Sequence, residues 1–333
     1  MTIMEFRTSV RPFSFDFKIN HRSKIILAGS CFAENLFQKL KYHKFSDAIH
    51  PFGTVYHPIN LSWLLRRGLE GHKVTPEEIF ENQGLFSHFQ FNKHFSGSLP
   101  EHCIDAANTA LAETGVFLKN ADLLVLTLGT ANGYIFKETG ELVGNCHKIP
   151  ARYFEKIMST IREMEEELSL LIKEMLLANP QIKIIITVSP VRHTKDGLES
   201  NLRSKARLIE VAHRISDAFP DHTFYFPSYE IMMDDLRDYR FYQSDMIHPS
   251  DLAVDYIWDY FSNAVFEQYT LEINKKIDHI QKSLLHRPIH GKSLPYLEFI
   301  QKLLDEMEQL MEIESEIDFT EEIQSLWYQL KSS

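Results

Sequence analysis

Three short apolar runs, each followed at once by a turn, constrain the fold of this chain more than any other feature. They are residues 24–28 (KIILA), 122–128 (DLLVLTL) and 182–188 (IKIIITV). A strand with one wet face alternates apolar and polar positions. These runs do not, so both of their faces must be covered. Residues 222–226 form a weaker fourth strand candidate. Helical patterns lie between the runs at 33–42, 104–117, 153–178 and 198–219. In the last, Leu202, Ala206, Ile209, Ala212, His213 and Ser216 share one stripe. Such alternation predicts an α/β protein whose parallel sheet carries helices on both sides. Ligands of such sheets bind at the carboxyl ends of the strands. Gly29-Ser30, Gly129-Thr130 and Ser189-Pro190 stand directly after the three runs, at that edge.

The 333 residues suffice for one large domain with additions or for two small ones. A formal charge of -11 argues against nucleic acid or an anionic membrane as the main partner. The three cysteines, Cys31, Cys103 and Cys146, are odd in number and include no Cys-x-x-Cys, so neither a disulfide framework nor a structural zinc site is expected. The first eleven residues lack an apolar secretory segment, and no run approaches 18 apolar residues. A cytoplasmic protein without a membrane span is the expectation. Nucleotide-binding glycine motifs, His-Glu-x-x-His and Gly-x-Ser-x-Gly are all missing, so no metal or organic cofactor is called for.

Two motifs carry chemistry. Gly29-Ser30-Cys31-Phe32-Ala33 follows the first strand, and Asp245-Met246-Ile247-His248-Pro249 comes late in the chain. A carboxylate three residues before a histidine can orient the imidazole, which can then take the proton of a serine hydroxyl. The first string resembles the signature of the GSCFA-domain family, itself similar to the SGNH (GDSL-like) esterase superfamily, over roughly residues 20–265. The resemblance implies a flavodoxin-like three-layer α/β/α sandwich of SGNH-hydrolase type. It also implies a catalytic Ser30, with His248 as base and Asp245 as its orienting carboxylate. Read alone, Ser30 is equally an N-cap residue of the following helix. Cys31 is the rival nucleophile, since thiolates react better than alcohols. It is set aside as a small buried cysteine that points away if Ser30 faces the cleft.

The same resemblance implies an oxyanion hole built from Ser30 N–H, a glycine N–H and an asparagine side chain. Gly53 stands where the glycine is due. The asparagine is due at position 131, which is alanine; Asn132 is displaced by one, and Thr130 is the favoured substitute. Arg192 and His193, after the third strand, and His147, after a predicted hairpin of 134–136 with 142–144, are candidate substrate-binding residues.

The expected organisation is a catalytic domain of residues 1–268 and a helical extension of 269–333. Residues 54–120, rich in histidine and aromatics, are read as an insertion or lid. The extension should hold two or three amphipathic helices, broken near residues 286–288 and 291–295. Leu303, Leu304, Met307, Leu310 and Met311 form one face that can pack on the domain or join a homodimer. The functional expectation is a serine esterase acting on carboxylic esters, foremost O-acetyl or short O-acyl groups on a carbohydrate. Its rivals are an O-acyltransferase on the same triad and a non-enzymatic glycan-binding or scaffold protein.

Overall fold

The computed structural model describes residues 7–286 and 293–331. Among them the strands are β1 (Ile25–Gly29), β2 (Ala48–Ile49), β3 (Phe80–Asn82), β4 (Leu85–Ser87), β5 (Leu123–Leu128), β6 (Asn132–Phe136), β7 (Glu141–Val143), β8 (Phe154–Met158), β9 (Lys183–Val188) and β10 (Thr223–Phe226). The α-helices are α1 (Cys31–Tyr42), α2 (Pro58–Glu70), α3 (Pro100–Leu118), α4 (Ile161–Ala178), α5 (Leu198–Ala218), α6 (Ser228–Glu230), α7 (Asp251–Val265), α8 (Gln268–Leu284), α9 (Leu294–Ile313) and α10 (Thr320–Lys331).

Five parallel strands in the order β10-β9-β5-β1-β2 form the central sheet. Both faces of each long strand are buried. Ile26, Ala28, Leu124, Leu126, Ile184 and Ile186 face one core, with residues of α2, α3, α4 and α5. Ile25, Leu27, Leu123, Val125 and Ile185 face the other, with α1 and α7. Burying each of these aliphatic side chains is worth roughly 1.5–3 kcal/mol, so the chain cannot slip register without losing both cores. The register aligns Gly29, Thr127, Thr187 and Phe226 across the sheet, and the loops that follow them share one edge. This is the three-layer α/β sandwich expected, with its helical C-terminal region.

Three expectations change. Residues 153–178 are not one helix. Phe154–Met158 is a strand, β8, in a small antiparallel sheet ordered β7-β6-β8. The helix starts only at Ile161, behind a capping box in which Thr160 and Glu163 bond reciprocally.

Residues 54–120 are not one insertion either. Helices α2 and α3 belong to the main core, and they touch so closely that a Cβ on Gly115 would lie 2.2 Å from Gly68 O. Only the segment between them is an excursion. It holds the β3–β4 hairpin and an aromatic loop whose Phe91 packs on Phe52 and Trp63.

The buried stripe of α5 is Asn201, Ser204, Lys205, Leu208, Val211, Ala212 and Ile215. It is rotated from the expected one, and Leu202 and His213 are exposed. The reason is polar: the first turns of this helix support the loops at the functional edge.

At the C-terminus, α8, α9 and α10 share a core of their own, which includes Ile277, Leu303, Leu304, Met307, Leu310 and Leu326. Met311 is half-buried beside it. The Lys44 ammonium, just after α1, bonds Glu322 at 2.5 Å and lies over the Phe319 ring. The break expected near residues 286–288 and 291–295 falls largely outside the described residues.

Candidate active site

The turn from β1 into α1 decides which side chain reaches the edge. Gly29 has φ +139°, and a Cβ there would lie 2.1 Å from Thr127 O. No other residue fits so close a passage beside β5. Ser30 follows as the N-cap of α1. Its N–H donates to Thr127 O at 3.0 Å, and its hydroxyl accepts from Phe32 N–H at 3.4 Å. It has no exposed surface. Ser30, the expected nucleophile, is therefore turned inward, and its N–H is bonded within the fold.

Cys31 occupies the first position of the helix and is half-buried, contrary to its reading as a buried packing residue. Its Sγ lies 3.5 Å from Tyr56 Oη. Its own N–H is one of the first amides of the helix, which have no acceptor within it. The parallel bridge of Gly29 with Thr54 sets Tyr56 abreast of Cys31. Tyr56 O accepts from both Gly129 N–H and Thr130 N–H, which fixes the tyrosine between the two strand ends. Burial holds the Tyr56 hydroxyl well above its ordinary range, so it is a donor.

The loop after β9 carries Arg192 and His193. The His193 ring meets the Tyr56 ring edge-on at 5.2 Å. Its Nε2 is buried and has no partner among the described residues. Burial, aided by the Lys205 and His248 charges, pushes it down to about 4, so it is neutral at pH 7. Its backbone N–H donates to Asn201 Oδ1 at 2.8 Å. Arg192 was a candidate substrate-binding residue. Its guanidinium instead donates to Met246 O and lies over the Tyr242 ring, 4.4 Å from the centroid. It anchors the loop that bears the Asp-x-x-His motif.

In that loop Asp245 Oδ2 lies 2.6 Å from His248 Nδ1. Asp245 Oδ1 accepts from Ile247 N–H at 2.9 Å and His248 N–H at 3.0 Å. These bonds, the imidazole first, hold the carboxyl down to about 2. Ser250 caps α7 immediately afterwards. The motif thus closes on itself as one turn, with His248 partly open to solvent. No hydrogen bond links His248 to Cys31 or Ser30 among the described residues. His193 meets the Tyr56 ring, and the His248 charge is one of the influences that lower it.

The remaining candidates are mostly committed elsewhere. Thr130 Oγ1 lies 3.1 Å from Ser204 Oγ and accepts from Asn132 N–H. Asn132 starts β6 and its amide reaches only toward Ser200, at 3.5 Å. Neither side chain is presented as an oxyanion donor. His147 pins the aromatic loop, its Nε2 lying 3.1 Å from His88 O and 3.0 Å from Phe91 O, and so is not free for substrate. Gly53 adopts φ +59° with the Asn92 amide against it. It lines a cavity of about 500 Å³ together with Glu34, Tyr56, Asn60, Gln90 and Asn145. Tyr56, whose hydroxyl meets the Cys31 thiol, is part of that lining.

Lys205 was not anticipated from the sequence. It is 1% exposed, and its Nζ donates to Gly129 O at 2.8 Å and Ser189 O at 2.7 Å. Tyr56 was missed as well. The signals were present: serine before a helix caps it, which hands the outward position to the next residue. Counting back from Leu208 by helical spacing puts Lys205 and Asn201 on the buried stripe.

A profile described as the GSCFA family matches residues 24–261, and one described as the C-terminal domain of GSCFA domain proteins matches 277–332. The chain belongs to the GSCFA family. No curated protein matches this GSCFA sequence. Among solved structures it is similar to a protein provisionally named a platelet activating factor, from Streptococcus pneumonia. That likeness has 12% identity and a TM-score of 0.38, over 72% of this chain and 83% of the other. A protein from Bacteroides fragilis provisionally named an acylhydrolase matches at 11% identity and a TM-score of 0.39, over 78% and 91%. Likenesses this distant carry no argument about activity.

Proposed function

We propose that this GSCFA protein is an acyl-transfer enzyme of the hydrolase type whose nucleophile is Cys31. The observation that carries the reading is the position of the thiol. It stands at the N-terminus of α1, at the carboxyl edge of the sheet, against the hydroxyl of Tyr56, whose ring meets that of His193. Helix N-termini favour thiolates and other developing negative charge.

The chemistry then runs through groups at hand. His248 Nε2 takes the thiol proton, while Asp245 holds Nδ1–H and stabilises the imidazolium. Cys31 Sγ attacks the acyl carbon. Cys31 N–H and Tyr56 O–H are the donors for the oxyanion. Collapse releases the alcohol, protonated by His248, and leaves an acyl thioester. His248 then deprotonates a water that hydrolyses the thioester and regenerates the thiol. Carboxylic esters are the substrate class. The amide-rich cavity lined by Tyr56 supports an O-acetyl or short O-acyl group on a carbohydrate, whose hydroxyls such side chains bond well. With a sugar hydroxyl replacing water, the same site is an O-acyltransferase.

Peptide mapping after brief exposure to p-nitrophenyl acetate tests the reading. The acetyl group should appear on Cys31, vanish in Cys31→Ala and persist in Ser30→Ala. Release of nitrophenol should fall by about 10²–10⁴-fold in His248→Ala. An acetyl group on Ser30, or a wild type that stays unmodified, refutes it.

A further inference from the structure

We infer that a second cavity, which shares a wall with the one lined by Tyr56, binds a neutral sugar ring. The substrate is then an oligosaccharide, with its acylated unit in the first cavity and a neighbouring unit in the second. This rests on the carbohydrate reading of the substrate above.

The shared wall is made of amides. Asn60 and Gln90 line the first cavity with Tyr56. They also line the second, of about 600 Å³, together with Trp63, Phe80, Phe89 and Leu142. Asn60 Nδ2 donates to Gln90 Oε1 at 2.7 Å and to Gln90 O at 3.1 Å. Gln90 Nε2 in turn donates to Leu142 O at 2.7 Å. Helix α2 and strand β7 thus hold the wall from its two ends. Both volumes lie in the range of roughly 300–1,000 Å³ that small-molecule pockets occupy.

The lining of the second cavity selects the ligand. A sugar ring presents C–H groups on its faces and hydroxyls around its rim, so aromatic faces suit the one and amides or carboxylates the other. Trp63, Phe80 and Phe89 are all half-buried, and Phe80 stacks on Phe89 with centroids 4.1 Å apart. This gives the excursion between α2 and α3 a task, since it brings both phenylalanines to the cavity.

Charge narrows the class further. Arg67 is spent within the chain: Nη1 and Nη2 donate to the two Glu78 oxygens at 2.6 Å each, and Nε donates to His72 O. Burial pushes His88 down to about 4, so it adds no positive charge. Its Nδ1 accepts from Gln90 N–H at 3.0 Å, which leaves the ring proton on Nε2. That nitrogen has no hydrogen-bond acceptor among the described residues; Glu78 Oε1 stands off at 3.7 Å. A ligand hydroxyl that accepts from Nε2 and donates to Oε1 would join the two after a small shift of either side chain. Glu77 and Glu141 are exposed on the lining and have no ion pair among the described residues, so an anionic ligand is repelled. A neutral polyhydroxylated ring is the ligand class that satisfies all of these groups.

Saturation-transfer nuclear magnetic resonance on the full chain tests the inference. Xylobiose, cellobiose, mannobiose and maltose are the neutral probes, and digalacturonate is the anionic one. A neutral disaccharide should receive saturation and digalacturonate should not. Glu141→Trp fills the cavity from an exposed position and should weaken binding by about tenfold; Trp63→Ala should do the same if it folds. On the acetylated form of the bound disaccharide, Glu141→Trp should lower kcat/KM by a similar factor. Silence from every neutral sugar, equal binding in folded Glu141→Trp, or equal transfer to digalacturonate overturns the inference. A bound disaccharide with a Cys31 that never takes up an acetyl group would refute the proposed reaction and leave this site standing. An acetylated Cys31 with no sugar bound would do the reverse.

Discussion

Replacing Ser30 by alanine separates two roles that sit one residue apart. The structure gives Ser30 one side-chain bond, from Phe32 N–H at 3.4 Å. Loss of a helix cap costs about 0.5–2 kcal/mol, and a bond this long belongs in the lower half of that range. Ser30→Ala should therefore cost about 0.5–1 kcal/mol, a fall of roughly 1–3 °C in Tm for a chain of this size. Esterase turnover should stay within a few-fold of wild type. Were Ser30 the nucleophile, the same change would lower kcat on the order of 10⁶-fold. Calorimetry and a nitrophenyl ester assay on one preparation read both numbers. A folded Ser30→Ala protein devoid of activity would refute the assignment of Ser30 as a cap and of Cys31 as the reactive group.

Two other perturbations test the site's construction. Gly29→Ala sets a Cβ 2.1 Å from Thr127 O at φ +139°, so it should cost more than about 3 kcal/mol in urea unfolding or prevent folded protein from accumulating. Asp245 is held down to about 2, so the contribution of its pairing is complete above the ordinary carboxylate value. That contribution is lost progressively as pH falls from the ordinary carboxylate value through about 2. In nuclear magnetic resonance spectra its carboxyl carbon should therefore show no titration at pH 4, and Asp245→Asn should lower kcat/KM by about 10²–10⁴-fold through loss of the correct imidazole tautomer.

The sheet was legible because its strands are buried on both faces. A strand such as β5 has no polar position to confuse its pattern, and the turn residue after it marks its carboxyl end. The Asp-x-x-His turn was legible for a related reason, since its contacts are local and span three residues. Ser30 and Cys31 were harder. Both are small residues adjacent in sequence, and which one faces the cleft depends on where the helix begins, a matter of one residue. The bound states of Thr130 and Arg192 were not visible either, because their partners, Ser204 and Met246, are brought to them only by the tertiary fold. Lys205 was lost because the expected stripe of α5 was drawn through Leu202, Ala206 and Ile209, whereas the buried stripe runs through Asn201, Lys205 and Leu208. Strand β8 was lost because its five residues run directly into a strongly helical segment, and only Thr160 and Glu163 mark the boundary.

The carboxylate and imidazole of residues 245 and 248 ride on the same short turn, and Arg192 lashes that turn to the end of β9. Any swing of the turn carries both groups together. Such motion alters the range from imidazole to sulfur but not the aim of the imidazole relative to its own carboxylate. Opening and closing of this flank would then meter the rate of proton exchange with the thiol while leaving the tautomer untouched, as a hinge moves a lamp without turning its beam.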